Sequence, residues 1–427
     1  MGVKRFLTLG AVQENSLLIE ALKLEFLFKN ISFFSLTLAF KFLFSLAEAL
    51  NTIKMAHLMA KKSIMFNGVL FEDSLENYLS RESTSICQFL YFLCIDDIAK
   101  HVERTFYTNK SWHFKYSVSS MIKLFVVKCF RNISFDKTVS SLTEEEAILL
   151  SFYDENGQIK LPSGGTLHHF VKYRLGEEGI NMVMMLLGEK ILKLSSEKET
   201  KIDSTPLEAS RYDMHADYNP HYGCKMDKAH ITMVGTYPVF MTHTKGLAGD
   251  SPELIKHIEA LKKMNADIEF YSADGGYDSF FNHSDIWYHL NAKPIISYAS
   301  DAVINKEGEE ERINHWVNKN WKLGGDIHSP MDDKLKFLYE IGRREQVGMF
   351  LRNQNILDES FEEQYKKRAE CEKTHGHIKS TVKFDIRRIR NVSKKLYSLL
   401  SFISYQLLVL TELQNKIGEK NSFGRYF

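Results

Sequence analysis

The sequence lacks two features that would each mark a class of protein: paired cysteines and an excess of one charge. Its 427 residues include only five cysteines, an odd and scattered set. This usage excludes a disulfide framework and indicates the reducing cytoplasm. The formal net charge is +1, so the composition has no overall basic excess that would indicate a nucleic-acid partner. The first residues do not combine a basic start, a short apolar run and a small-residue cleavage site in the order of a signal peptide, and we expect none.

One long apolar run raises the question of a membrane span. Residues 31–50, ISFFSLTLAFKFLFSLAEAL, carry Lys41 in the middle and Glu48 near the end. A lysine at the centre of a membrane helix costs about 2.5–3.5 kcal/mol. The uncharged stretches are also shorter than the roughly 20 residues that a span needs. We therefore predict a helix packed against protein, and no membrane among the partners.

The hydrophobic pattern divides the chain into a helical part and an α/β part. Residues 1–195 have helical periodicity almost throughout, and we expect this region to bind DNA. Within it, LPSGGTLHHFVKYRLG (161–176) places a break before a short basic helix. This is typical of a helix that reads the major groove, and equally of an ordinary helical bundle. From about residue 199, predicted strands alternate with helices, which indicates an α/β architecture.

The α/β part is interrupted once. Residues 196–300 hold a strand predicted within 200–209 and ending at Asp203, further strands within 228–246, at 267–279 and at 292–299, and a helix at 249–264. Residues 301–360 then bring an acidic run and two tryptophans, which we interpret as an insertion segment. Residues 361–427 return to helices and are predicted to complete the core.

Two acids are candidates for chemistry because of their place in this pattern. Asp203 and Asp274 each fall at the end of a predicted strand, the edge of an open sheet where ligands collect. Asp250 and Asp278 each precede a helical run and are interpreted as helix N-caps. A single acid at the end of a strand is usually only a solvated residue.

A polar stripe on a predicted helix adds weight to these acids. In YKKRAECEKTHGHIK (365–379), offsets of three, four and seven place four side chains within one sector of the helix: Tyr365, Arg368, Glu372 and Lys379. Residues 366–395 hold eleven Lys or Arg against three acids, which suits a solvated face or a phosphate-rich partner. Glu370 is about 200° round the helix from Glu372. Carboxylates from two strands and one helix would suit Mg²⁺ and phosphodiester chemistry.

These motifs resemble a known family. The order Tyr-x2-Arg-x3-Glu-x6-Lys is similar to the signature around the last acid of bacterial and archaeal insertion-sequence DDE transposases. KIDSTPLEA resembles the first-Asp motif of that family, and YSADGGYDS resembles the second. HYGCKMDKAH and the strands after it resemble the stretch between them. The resemblance covers roughly residues 199–415 and, more loosely, 125–195.

The resemblance implies an α/β fold: an RNase H-like catalytic domain with an insertion before its last catalytic helix, preceded by a mostly α-helical region. It implies a catalytic and metal-binding set that holds two Mg²⁺ or Mn²⁺ ions: Asp203, Asp274 and Glu372. It implies a second set that binds DNA phosphates: Tyr365, Arg368 and Lys379. The expected partners are transposon-end DNA, target DNA and a second copy of the chain, in a prokaryotic cytoplasm at the nucleoid.

The resemblance also implies a reaction course. Water attacks the phosphodiester at the transposon end, and the freed 3′ hydroxyl then attacks target DNA. Some members form a DNA hairpin that needs a tryptophan. Trp316 and Trp321 lie in the 301–360 segment, where such a residue could sit, but the interpretation we favour for them is a buried structural role.

Three alternatives stay open. The first is an RNase H-like nuclease that cuts without joining, and the second is a repurposed DNA-binding protein without catalysis. The third is a zinc site, whose spacings of six, three and six fit no common zinc module. Its candidate ligands are His215, His221, Cys224 and His230.

Overall fold

The computed structural model describes residues 62–66, 69–73, 85–106, 115–154, 156–299, 330–382 and 391–415, with single residues 315, 319 and 384. The apolar run 31–50 lies outside the described residues, as do Trp316 and Trp321. The predictions made for them therefore stay predictions.

The helical character predicted for the first 195 residues is confirmed from residue 85 onward. The described residues from 85 to 194 contain these α-helices: α1 (Ser85–Phe92), α2 (Asp96–Phe106), α3 (Val118–Arg131), α4 (Phe135–Ser140), α5 (Glu144–Leu149), α6 (Gly164–His169) and α7 (Gly176–Leu194). A π-helical stretch, Phe170–Leu175, joins α6 to α7. Before them, β1 (Lys62–Phe66) and β2 (Val69–Asp73) form a two-stranded sheet that the helical prediction did not include.

Gly164 explains the break before the predicted basic helix. The Ser163 hydroxyl accepts a hydrogen bond from the Thr166 N–H at 3.1 Å and so caps α6. A Cβ at Gly164 would lie 2.0 Å from Oδ1 of Asp136 in α4, so only glycine permits this approach. The turn and the helix are therefore built for close packing between α6 and α4, and a role in DNA reading stays a prediction.

A six-stranded mixed sheet forms the centre of the α/β part. Its strands are β3 (Glu199–Glu208), β4 (Asp217–Asn219), β5 (Cys224–Val234), β6 (Tyr237–Lys245), β7 (Phe270–Ala273) and β8 (Lys293–Ile296). β5 pairs antiparallel with β3, β4 and β6, whereas β7 pairs parallel with β3 and β8. The order across the sheet is therefore β6-β5-β3-β7-β8, with β4 beside β5.

The remaining helices connect or cover this sheet. They are α8 (Leu254–Lys263), α9 (Phe280–Leu290), α10 (Met331–Glu340), α11 (Arg344–Leu357), α12 (Phe361–Lys366), α13 (Glu370–Val382) and α14 (Asn391–Asn415). Pro252 lies in the short 3-10 turn Ser251–Glu253 that leads into α8, where its missing N–H costs nothing. α14 packs against α7, α3 and β6.

Among the described residues, α14 contains the segment that most resembles a membrane span by composition. Ser393–Asn415 has a mean hydropathy of 1.4, and 72% of its most apolar window is buried inside the structure. A helix this deeply covered by its own protein has the character of a core helix, so its composition is weak evidence for a span.

The predicted end of β3 is wrong. Asp203 does not end the strand, because β3 continues its pairing with β5 as far as Glu208, which lies opposite Met226. On its other side, however, β3 pairs with β7 only as far as Lys201, opposite Ser272. Asp203 therefore lies beyond the paired part of β7, and its neighbourhood is open on that side.

Candidate active site

A cavity of about 650 Å³ gathers most of the predicted site residues. Four carboxylates line it: Asp203, Asp250, Asp274 and Glu372. Three cationic side chains line it as well: Lys228, Arg368 and Lys379. The cavity thus brings together five of the six residues that the sequence predicts for the site, and Tyr365 is not among them.

Asp203 is the most buried of the three predicted catalytic acids, with 8% of its surface exposed. Its Oδ1 accepts a hydrogen bond from the N–H of Ser204 at 2.9 Å, and Nη1 of Arg368 lies 3.2 Å from its Oδ2. Burial raises the pKa of Asp203 to about 6; Arg368 opposes this rise, and the charges of Asp274 and Glu372 add to it. The ionised form of Asp203 is therefore disfavoured in this environment, and a further cation beside the carboxylate would stabilise it.

Asp274 follows β7 directly, as predicted. Its Oδ1 accepts the N–H of Gly276 at 3.0 Å and caps the 3-10 turn Gly275–Tyr277. A Cβ at Gly275 would lie 2.6 Å from the carbonyl oxygen of Tyr298, which explains why glycine follows the acid. Burial raises the pKa of Asp274; Arg368 opposes this rise and Asp250 adds to it.

Glu372 and Glu370 serve different surfaces of α13, although only one residue separates them. Glu372 is exposed and lines the cavity. Glu370 instead pairs with the ammonium group of Lys201, a β3 side chain that is only 2% exposed. This pair fastens the start of α13 to the sheet.

The stripe of four polar residues does not lie on a single helix, and that prediction is wrong. α12 ends at Lys366, and a 3-10 turn, Lys367–Ala369, separates it from α13. Tyr365 thus belongs to α12, where its ring centroid lies 5.5 Å from the guanidinium carbon of Arg368. Arg368 is directed to Asp203 from the turn.

Lys379, which the sequence predicts to bind a phosphate, lines the cavity. It is half-buried at the cavity wall, and burial lowers the pKa of its ammonium group, an effect that the charge of Glu208 opposes. A partly desolvated ammonium group at a polar cavity is well suited to a phosphate oxygen.

Asp250 is a site residue that the sequence interpretation missed. Its predicted role as a helix N-cap is wrong, because its backbone is helical and its side chain caps nothing. Its carboxylate instead binds Nζ of Lys228 at 2.7 Å and the hydroxyl of Ser204 at 3.1 Å. The local sequence signal is an acid before a helix, and this signal predicts capping. The actual partner of Asp250, Lys228 on β5, is brought to it by the tertiary structure, which a local pattern does not reveal.

Asp278 is also not the N-cap of α9, since Ser279 holds that position. Nη2 of Arg352 lies 2.8 Å from the carboxylate of Asp278, and the ring of His283 lies 3.2 Å away. Burial raises the pKa of Asp278, but these two partners lower it by a larger amount. The pKa of Asp278 therefore lies well below its usual range. Asp278 thus ties α11 to the loop that follows Asp274.

The predicted zinc ligands do not form a site. His230 is buried and bonds through its ring nitrogens to the hydroxyls of Tyr277 and Thr244, each at 2.9 Å. In the part of the chain that the structure describes, no three side chains of His, Cys, Asp or Glu are grouped closely enough to hold a metal ion. The carboxylates that line the cavity are likewise too far apart, in their present side-chain conformations, to form such a group. Their oxygen donors nevertheless suit Mg²⁺ or Mn²⁺.

The α/β part of the chain matches the model of a known family. Residues 195–407 match the family model of the transposase DDE domain, a segment that runs from just before β3 into α14. No curated protein matches the chain. The matched segment contains all four cavity carboxylates, and the chain belongs to the insertion-sequence transposases with a DDE domain.

Proposed function

We propose that this protein is a DNA transposase that cuts phosphodiesters at transposon ends and joins the 3′ hydroxyl to target DNA. The observation that carries the proposal is the convergence of Asp203, Asp274 and Glu372 on one polar cavity. They come from two neighbouring strands and one helix, all within the segment that matches the transposase DDE domain.

The sheet supports an RNase H-like catalytic core. Three antiparallel strands, β6, β5 and β3, are continued by the parallel pairs of β3 with β7 and β7 with β8. The first two acids lie on adjacent strands, β3 and the end of β7, and α13 brings the third acid over them. Residues 301–360 separate β8 from α12 and correspond to the proposed insertion.

The three acids fit a site for two Mg²⁺ or Mn²⁺ ions by their chemistry. Their carboxylate oxygens are hard donors of the kind that these ions prefer. Burial raises the pKa of Asp203 and Asp274 and so disfavours their ionised forms. A cation bound at the cavity would offset this effect and favour the ionised forms. Two such ions, when bound, would activate an attacking water and stabilise the leaving 3′ oxygen. Asp203, Asp274 and Glu372 would hold them.

The cations of the cavity suit a polyanionic substrate. Lys379 lies two turns from Glu372 on α13, so an ammonium group and a carboxylate face the same cavity. Lys379 would hold a backbone phosphate of the transposon end, and Arg368 would hold another once it leaves Asp203. Tyr365, which contacts Arg368, would orient that guanidinium rather than touch DNA itself.

The direct test is strand cleavage and joining by the full-length protein on the DNA that flanks its own gene. Wild type is expected to nick this DNA with Mg²⁺ or Mn²⁺ and to join it to a supercoiled target plasmid. Glu372→Gln should lose cleavage and keep DNA affinity, because it removes a metal ligand and no phosphate contact. Glu362→Gln, an exposed position on α12, is the matched control and should behave as wild type.

The alternatives give different products in the same assay. Cutting without joining would identify a nuclease. DNA binding without any cutting, with both metals, would identify a DNA-binding protein that has lost catalysis. Loss of both binding and cleavage in Glu372→Gln would contradict the assigned division between metal ligands and phosphate ligands.

A further inference from the structure

A fourth carboxylate, Asp250, shares the cavity with the three proposed catalytic acids, and it is paired with Lys228. Lys228 lies on β5 opposite Pro206 of β3, and Asp250 directly precedes the turn Ser251–Glu253. Nζ of Lys228 lies 2.7 Å from Oδ1 of Asp250, and the two side chains are only 13% and 14% exposed. The same Nζ donates to the carbonyl oxygen of Ala248 at 2.9 Å. The ion pair is therefore held in one arrangement.

The pair reaches the first catalytic acid through Ser204. The hydroxyl of Ser204 donates to Oδ2 of Asp250 at 3.1 Å, and its backbone N–H donates to Oδ1 of Asp203 at 2.9 Å. Asp250 thus fixes the residue whose backbone orients Asp203.

The pair also reaches the second catalytic acid, across Gly276. A Cβ at Gly276 would lie 3.2 Å from Oδ2 of Asp250 and 3.2 Å from Oδ1 of Asp274. The N–H of Gly276 donates to that same Oδ1 of Asp274 at 3.0 Å. Oδ2 of Asp250 and Oδ1 of Asp274 therefore both lie next to the position that a Cβ of Gly276 would occupy, so Asp250 is packed against the turn that holds Asp274.

Stability alone is a poor reason for this arrangement. Two largely desolvated charges rarely stabilise a fold more than an apolar pair of the same size. A charged pair placed between two acids does, however, fix their geometry, and reactive groups need placement to within about 1 Å.

We propose that the Asp250–Lys228 ion pair is a positioning pair that sets the separation between the carboxylates of Asp203 and Asp274. Its catalytic consequence rests on the proposed function. Lys228 holds Asp250 in place, and Asp250 binds Ser204 and packs against the Gly276 turn that holds Asp274. Neither residue of the pair is assigned contact with the reacting atoms.

The test uses three variants of the full-length protein: Lys228→Met, Lys228→Arg and Asp250→Asn. Lys228→Met and Asp250→Asn should lower kcat for strand cleavage by about 10-fold to 100-fold, because the acids lose their spacing. KM for the DNA should stay within about 3-fold, since uniform binding is retained. Mn²⁺ affinity, measured by titration without DNA, should fall in both variants. Lys228→Arg keeps the charge and should recover part of both losses.

Asp285→Asn is the matched control for a buried carboxylate outside the cavity. Asp285 is paired with Arg344 and bonded to the hydroxyl of Tyr339 at 2.8 Å. This variant should lower the Tm and leave kcat per folded molecule and Mn²⁺ affinity unchanged. If the cavity variants lose activity only in proportion to their loss of folded protein, as this control does, the positioning role is refuted.

Other outcomes decide the proposal equally. A rise in KM with unchanged kcat would make Lys228 a DNA contact and overturn it. Should Asp250→Asn fail to fold, Ser204→Ala removes the hydrogen bond to Asp250 and keeps the ion pair. A wild-type kcat in that variant would refute the proposal.

If the wild type cuts no DNA at all, the proposed function fails. Crystal structures of wild type and Asp250→Asn then test the pair alone, and an unchanged separation between the carboxylates of Asp203 and Asp274 would overturn it.

Discussion

Nη1 of Arg368 lies 3.2 Å from Oδ2 of Asp203, so a guanidinium predicted to bind DNA is directed to the first acid of the site. Arg368 is also the largest influence that opposes the raised pKa values of Asp203 and Asp274. It therefore offsets the repulsion between acids that burial has brought together. A metal ion that binds Asp203 has to compete with this guanidinium, and a DNA phosphate offers the guanidinium another partner.

Replacement of Arg368 should separate metal binding from catalysis. In Arg368→Gln, we expect several-fold tighter Mn²⁺ binding at pH 8 without DNA, because a competing cation is removed from Asp203. Strand cleavage should nevertheless slow, because the residue proposed to bind a DNA phosphate is lost. Mn²⁺ titration followed by electron paramagnetic resonance measures the first effect. Lys379→Gln is the control: it should weaken DNA binding and change Mn²⁺ affinity less. Weaker Mn²⁺ binding in Arg368→Gln would contradict the competition.

The two neighbouring glutamates of α13 should respond in opposite ways to mutation. Glu370→Ala leaves the ammonium group of Lys201, which is only 2% exposed, without its carboxylate. We expect the free energy of unfolding to fall by about 1–3 kcal/mol, the cost of an unsatisfied buried group. Glu372→Ala removes an exposed side chain and should change stability by less than about 0.5 kcal/mol. Urea unfolding measures both, and equal losses would show that Glu370 does not fasten α13 to the sheet.

Cleavage should depend on pH through Asp203. Its pKa of about 6 means that the carboxylate gains a proton as the pH falls through 6, and the protonated acid is a poor metal ligand. At Mg²⁺ concentrations below saturation, we expect kcat/KM to rise about tenfold per pH unit below 6 and to level off above 7. Saturating Mg²⁺ should move the midpoint to lower pH. A flat profile down to pH 5 would show that Asp203 remains ionised in the working site.

Local sequence patterns were enough to predict much of the sheet. The strands β5 and β6 joined by a turn, and β7 ended by Gly275-Gly276, follow from hydrophobic runs and turn residues within a few positions. Asp274 was found for the same reason, since it lies between a short buried strand and a glycine turn. Helix α8 was found because Pro252 and a regular apolar stripe mark its start and face.

Side chains with distant partners could not be predicted in this way. Asp250 and Asp278 satisfy the local rule for an N-cap, but Lys228 and Arg352 bind them from elsewhere in the chain. The end of β3 was misplaced for a similar reason, because pairing with β5 carries the strand past Asp203. The stripe around Glu372 lost Tyr365 because a 3-10 turn has three residues per turn and shifts the helical phase.

The charge on Asp203 should cost the protein stability, since a buried acid with a raised pKa folds best when protonated. Its stabilising contribution is present below the unfolded pKa of 3.8 and is lost as the pH rises through about 6. Asp203→Asn should therefore be more stable than wild type at pH 8, by about 1–3 kcal/mol, and the gain should vanish near pH 4. Asp278→Asn should show the opposite sign: its partners Arg352 and His283 hold the pKa low, so this variant loses stability at pH 8 and less at acid pH. Thermal unfolding from pH 4 to 8 measures both variants. Loss of stability in Asp203→Asn at pH 8 would mean that the contact with Arg368 outweighs the burial of the charge.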